Sequence, residues 1–406
     1  MKKSIILCCD GTNNQMTGSA TNVLRLYRSL VRDERQLTYY DPGVGTLADP
    51  MALSRVRKFI ERKLDAAIGR SLCETFSNAY RFLAMHYQPG DDIYMFGFSR
   101  GSYNCRAVAG AINMLGLLRP ELLHLVAYVW AIYANDGGAY AVQTRFGGAA
   151  RFREMFCLPE KPRVKLLGLW DTVSSFGWFW NFQSLPYTAS NPSVDSVRHA
   201  VSIDEHRAAY PTNLFSLPPP PEFPDRAPPS SSPLMKQVWF PGVHSDVGGG
   251  YLDKEGGLSK VAFDWMIKEL KDLGDVRLHQ EIVDKILGAD GILSQPDPTA
   301  QMHESLSGWW NLLEWLPRKG WTKTESDEPN QDAGISTTTT AETPRPLWVG
   351  HWVPPHWYRR RRIPADAWLH PAVRKRQRAG GYSPSLPATC VDLVHTPGRG
   401  YLPKEN

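Results

Sequence analysis

The sequence predicts an α/β fold, a mainly parallel sheet with helices on both faces and a C-terminal cap or extension rich in tryptophan and arginine. Two observations carry that expectation. Short apolar runs bounded by turn residues recur at Ile5–Cys9, Ile93–Phe98, Val164–Trp170 and Val238–Val243. Between them lie stretches with the spacing of amphipathic helices, and strands alternating with helices imply parallel pairing with both faces covered.

Ile5–Cys9 reads as a buried strand, and Asp10-Gly11-Thr12-Asn13-Asn14 as the turn leaving it. Thr21 or Asn22 can cap the helix that follows, in which Val23, Leu26, Tyr27 and Leu30 share a face. Tyr39–Thr46 is a strand end entering a turn-rich loop. A long helix over roughly residues 65–87 carries Leu72, Phe76, Ala79, Tyr80 and Leu83 on one stripe, and Pro89-Gly90 ends it. A strand to Phe98 follows, then an apolar helix from just beyond Ser99 to about Leu118, and Leu122–Ala134 reads as a core helix. The spacing divides the chain into a catalytic unit over residues 1–300, with a Pro-rich insertion at 216–233, and an extension over 301–406 holding a flexible loop at 324–346.

With 42% hydrophobic residues the chain can bury a real core, which excludes a disordered protein. A formal charge of +5 over 406 residues is small, and no nucleic-acid-binding module is recognisable. Cys8, Cys9, Cys73, Cys105, Cys157 and Cys390 lack metal-ligand spacing and read as reduced thiols, so no metal and no cofactor is expected and synthesis is expected in the cytoplasm. The apolar run after Lys2-Lys3 is too short for a signal peptide. No stretch approaches the ~18 apolar residues that span a bilayer.

The strongest chemical signal is Gly97-Phe98-Ser99-Arg100-Gly101, a G-x-S-x-G pattern between an expected strand and an expected helix. That context is a nucleophile elbow of the α/β-hydrolase type, in which small flanking residues let the turn close; the alternative is an ordinary Gly/Ser turn. A serine needs a base and an acid to orient that base, in the chain order serine, acid, histidine. Asp171 follows Val164–Trp170, and His244 follows Val238–Val243, so both emerge at the carboxyl edge beside Ser99. Asp171 could instead cap a helix, and His244 could be a structural loop residue. His303 ranks second as base, while His199 and His206 read as surface or helix residues. The Arg100 N–H, with that of Gly11 or Thr12, would form an oxyanion hole, unless Asp10 merely closes its own turn. Asp246 and the glycines after it shape the histidine loop.

Together these blocks resemble the bacterial and fungal α/β-hydrolase family that includes the phospholipase effectors of type VI secretion systems. The resemblance rests on CCDGTNN (Cys8–Asn14), TNVLRLYRSL (Thr21–Leu30), YYDPGVGT (Tyr39–Thr46), GFSRGSYNCRAVAG (Gly97–Gly110), LWDTVSSFG (Leu169–Gly177) and FPGVHSDVGGGY (Phe240–Tyr251). It spans about residues 3–265, and more weakly MHES and the segment around His370-Pro371. It implies Ser99 as nucleophile, Asp171 as acid, His244 as base and a phospholipid ester as substrate. It leaves open export by a type VI system and an immunity or secretion partner.

From residue 301 onward lie eight of the fourteen tryptophans, at 309, 310, 315, 321, 348, 352, 357 and 368, and the run Arg359–Arg362 follows Trp357-Tyr358. Rings at a bilayer interface and arginines on lipid phosphates would make a peripheral membrane contact; a lid with a solvated basic rim is the plainer reading. The expected function is serine hydrolysis of a carboxylic ester in a lipid or phospholipid. A carboxylesterase or thioesterase for a soluble ester, and a scaffold without catalysis, are the alternatives.

Overall fold

Both faces of the first strand, β1 (Ser4–Cys9), are buried: Ile5, Leu7 and Cys9 enter one core, and Ile6 and Cys8 enter another. The period of two in a strand sends neighbouring side chains to opposite faces, so an unbroken apolar run fits a sheet covered on both sides. The computed structural model describes residues 2–11, 19–43, 57–134, 148–173, 185–207, 210–216, 234–306, 318–324, 347–353 and 360–404, without the side chains of 57–70, 318–324 and 347–353.

The other strands are β2 (Gln36–Asp41), β3 (Asp92–Phe98), β4 (Val164–Trp170), β5 (Val197–Ser202), β6 (Met235–Phe240), β7 (Arg318–Thr324), β8 (Leu347–Val353), β9 (Trp368–Leu369), β10 (Val391–Thr396) and β11 (Gly400–Pro403). Nine of them form one sheet in the order β11-β10-β9-β6-β5-β4-β3-β1-β2. Pairing is parallel except between β10 and the edge strand β11. β7 and β8 form a separate antiparallel pair. The expected α/β architecture is therefore the one observed.

Helices α2 (Arg57–His86), α3 (Arg100–Leu115) and α4 (Val126–Ala134) cover one face, where Phe76, Tyr80, Val108, Ile112 and Val129 meet Leu167 and Leu169 of β4. On the other face, α1 (Asn22–Ser29) and the helix Gly257–Leu273 pack Val23, Leu26, Phe263 and Trp265 against Tyr94, Phe96 and Trp170. Thr21 caps α1, its hydroxyl accepting the Leu24 N–H at 3.1 Å. The chain leaves β1 for β2 on one side and returns through β3 on the other. Such a switch point opens a crevice at the carboxyl ends of the strands, where open sheets hold ligands.

Three differences from the sequence expectation have physical causes. β5 was not expected, and His199, read as a surface or helix residue, lies buried at the middle of the sheet. The polar residues of VRHAVS conceal the strand because each is satisfied internally: Arg198 pairs with Glu269 at 2.6 Å, and His199 bonds Gln237 at 3.1 Å. Leu122–Ala134 is a 3₁₀ turn over Pro120–Leu125 followed by α4, and only Val126, Val129 and Tyr133 are buried in it, so it lies on the surface of the core rather than within it. The C-terminal segment is more than a cap. It supplies β9, β10 and β11 to the main sheet, and Ile363, Ala367, Leu369 and Val373 pack with Val201, Ile203 and Trp239.

Candidate active site

The register of β3 and β4 sets the site. Phe98 stands opposite Trp170, so Ser99 and Asp171 leave the sheet side by side. The Ser99 N–H donates to Trp170 O at 3.0 Å, and the Asp171 N–H donates to Ala200 O at 2.7 Å, extending the ladder by one rung on each strand. Ser99 then turns sharply into α3 with φ +57° and ψ −124°, a region that costs a non-glycine residue backbone energy. The glycines on either side have steric reasons. A Cβ at Gly97 would lie 2.6 Å from the Ser102 backbone, and one at Gly101 would run into the Cys9 and Asp10 carbonyls.

Two strands further along, Pro241-Gly242-Val243 turns the chain from β6 into the short helix His244–Gly248. Gly242 has φ +112°, with the Asp246 side chain where its Cβ would be. His244 Nδ1–H donates to Asp171 Oδ2 at 2.5 Å, which leaves Nε2 as the lone-pair nitrogen. The imidazole stacks on Phe98 with centroids 4.6 Å apart and meets the edge of Tyr210 at 4.8 Å. Phe98 precedes Ser99, so the imidazole is packed against the strand end that carries the serine. Ser99, Asp171 and His244 are 7%, 1% and 4% exposed.

Asp171, itself at φ +37°, accepts from more than the histidine. The Ser202 N–H donates to Oδ1 at 2.9 Å, and the Arg361 guanidinium reaches both oxygens, at 2.5 and 3.1 Å. Burial alone would raise the Asp171 pKa, but the charge of Arg361 and the hydrogen bond from His244 outweigh it and hold the carboxyl well below the usual carboxylate range. Burial also pushes His244 below the ordinary imidazole value by more than Asp171 lifts it, so the ring is neutral at neutral pH. Glu205, fully buried, accepts the His244 N–H at 3.2 Å and pairs with Arg207 at 2.9 Å. Burial would raise its pKa, yet the hydrogen bonds and charge of Arg207 hold it down to about 2.

The other residues singled out in the sequence fall around this centre. Asp10 fastens the end of β1: its oxygens accept the Thr21 hydroxyl at 2.5 Å, the Tyr40 hydroxyl at 2.9 Å and the Gly11 N–H at 2.7 Å. The Gly11 N–H, expected as an oxyanion donor, is thus directed at Asp10. Thr12 lies outside the described residues. The Arg100 N–H belongs to the first residue of α3, directly after Ser99. Asp246 accepts the Val243 N–H at 3.1 Å and His303 Nδ1–H at 2.6 Å. His303, the second choice of base, therefore supports the histidine loop and also stacks on Tyr251 at 3.6 Å. His206 is half-buried in the loop after β5, 3.2 Å from Glu304.

Trp309, Trp310, Trp315, Trp357 and Arg359 lie outside the described residues, as do residues 217–233 and 325–346. The sequence reading missed Arg361, Ser202, Glu205 and Tyr210. The only signal for Arg361 was Ile363, an apolar residue that anchors the end of a charged run. Among the described residues, no group of three or more His, Cys, Asp and Glu side chains is arranged to hold a metal ion, and no helix is long and apolar enough to cross a membrane.

The family model described as "T6SS, Phospholipase effector Tle1-like, catalytic domain" matches residues 3–269. The chain belongs to this Tle1-like family. The matched span ends inside the helix Gly257–Leu273 and contains Ser99, Asp171 and His244, but not Arg361. Over 224 residues the Tle1-like chain is 34% identical to the uncharacterized protein YEL023C of Saccharomyces cerevisiae, covering 53% of this chain and 33% of the yeast protein. It thus spans about a third of the length of that curated relative. Similar solved structures include an uncharacterized protein from Pseudomonas aeruginosa, at TM-score 0.39 and 21% identity, covering 70% of this chain and 48% of that one. The structure of the Tle1 effector bound to the VgrG spike from the type VI secretion system matches at TM-score 0.30 and 18% identity, covering 63% of this chain and 52% of that one.

Proposed function

We propose that this Tle1-like chain is a serine esterase that cleaves carboxylic esters of phospholipids, with Ser99 as nucleophile, His244 as general base and Asp171 as the acid that orients it. The observation that carries the reading is the 2.5 Å hydrogen bond from His244 Nδ1 to Asp171, made by an imidazole stacked on the residue before Ser99. Asp171 fixes the tautomer, so Nε2 takes the proton as Ser99 Oγ attacks the ester carbonyl. The Arg100 N–H, at the start of α3, stabilises the oxyanion. His244 then returns the proton to the leaving alcohol, and water repeats the sequence to free the fatty acid.

Family membership supports a phospholipid substrate. Export through a type VI apparatus, with a spike or immunity partner, is the wider reading that the same membership favours. The test is product analysis by mass spectrometry after incubation with mixed phospholipid vesicles and with a p-nitrophenyl ester series of rising chain length. Released fatty acid and lysophospholipid, with a preference for long chains and loss of both in Ser99→Ala, are expected. Turnover confined to short soluble esters would move the substrate to a small carboxylic ester.

A further inference from the structure

Arg361 comes from the far end of the chain and sits directly behind the acid. It is the third residue of the four-arginine run, yet its side chain is 4% exposed. Its donors are fully used. Nη1 bonds Asp171 Oδ1 at 2.5 Å, the Ser202 hydroxyl at 2.7 Å and Ser202 O at 3.2 Å. Nη2 bonds Asp171 Oδ2 at 3.1 Å and Tyr210 O at 2.9 Å, and Nε reaches Tyr210 O at 3.3 Å.

The pattern at Asp171 fixes a plane as well as neutralising a charge. Each carboxylate oxygen is shared between the guanidinium and one other donor, Ser202 N–H on Oδ1 and His244 on Oδ2. A two-pronged donor of this geometry prevents rotation of the carboxylate, so Oδ2 stays pointed at the imidazole. The same side chain pins Tyr210, whose ring meets His244 edge to face with centroids 4.8 Å apart. The backbone that carries it is anchored in turn, because Ile363, Ala367 and Leu369 pack with Val201 of β5, Ile203 just after it and Trp239 of β6.

We propose that Arg361 is the positioning residue of the Asp171–His244 pair, holding the carboxylate in the plane that points Oδ2 at the imidazole, so that the C-terminal segment is part of the active site. The inference rests on the triad reading above. An imidazolium formed on this carboxylate would be a second cation on an acid already shared with the guanidinium, which disfavours it. Other charged and titratable groups also face the pair. Arg207 lowers the His244 pKa and Glu205, paired with it at 2.9 Å, raises it. Arg106 of α3 is directed to Thr172 and Asn213. His199 of β5 is buried, and burial together with the charge of Arg106 pushes its pKa down to about 3.

The test compares wild type, Arg361→Gln and Arg361→Lys in the full chain by NMR titration of His244 and by turnover per fluorophosphonate-titrated serine. In Arg361→Gln the His244 pKa is expected to rise by about one unit. The acid limb of kcat/KM should move with it, and kcat should fall about tenfold or more with KM nearly unchanged. Arg361→Lys should return the pH profile towards wild type while kcat stays low, since an ammonium supplies charge without the two-pronged geometry. A residue that only held the fold would lower the titratable fraction and leave both pKa and per-site kcat alone; that result overturns the proposal. A wild type that fails to turn over any ester while His244 still shifts in Arg361→Gln would instead overturn the triad reading and leave the Arg361–Asp171–His244 coupling standing.

Discussion

At the scale of single residues, the site separates the charge states of its two titratable partners. Asp171 is held ionised by Arg361 and His244 against its burial, and His244 is held neutral by its own burial. A general base works only while unprotonated, so the role proposed for His244 predicts that kcat/KM rises with pH through a midpoint below the ordinary imidazole value of about 6.5 and then stays flat to mild alkaline pH. A pH–rate profile on a soluble ester checks this, and a midpoint above 7 would show that the imidazole is favoured as a cation. The strain at Ser99 and Asp171, both at positive φ, lies at the two positions that project from adjacent strand ends. Backbone energy of this kind persists where the surrounding ladder over-determines the conformation.

At the scale of elements, the close approach of α3 to β1 is what sets the turn at Ser99. Gly101 lies against the carbonyls of Cys9 and Asp10, so Gly101→Ala must push the helix away from the strand. Backbone cannot yield as a side-chain tip can. Destabilisation of about 3 kcal/mol or more is expected, with activity lost alongside, measured by urea unfolding. This part was legible in the sequence, because glycines at both flanks of a serine between strand and helix mark a turn too tight for any larger side chain. β1, β4 and the cap of α1 were legible too, since apolar runs and a threonine stand next to the features they create. β5 and β9 to β11 were not. Arg198 of β5 is buried on Glu269, 2.6 Å away, so a charged residue occupies a position where an apolar period was sought; Lys236, 2.8 Å from the same Glu269, hid the start of β6 in the same way. Arg361 was hidden for the same reason: a run of arginines reads as solvated when its partner carboxylate lies 190 positions away.

At the scale of the whole molecule, two histidines are buried, His199 within β5 and His370 just after β9. Burial pushes His199 and His370 down to about 3, whereas an unfolded chain binds a proton at each near pH 6.5. Their folded pKa values are depressed, so the unfolded state takes up protons first as pH falls below 6.5, and stability drops with it. At pH 5 each contributes a loss of about 2 kcal/mol. Urea unfolding at pH 7 and pH 5 should show this loss, with a smaller pH difference in His199→Gln; an unchanged difference would mean that the ring is not held neutral. His370 belongs to the C-terminal segment, where it caps the helix Pro371–Ala379 and stacks on Phe240 at 4.5 Å. The segment after residue 360 is therefore tied to the molecule through β9 to β11, through this ring and through the Arg361–Asp171 bond.

The measurement that bears most directly on this account is covalent labelling with a fluorophosphonate, followed by peptide mapping. Labelling at Ser99 that disappears in His244→Ala, while the variant keeps its fold by circular dichroism, is the predicted result. A folded wild type that takes no label, or takes it at another serine, would contradict the account.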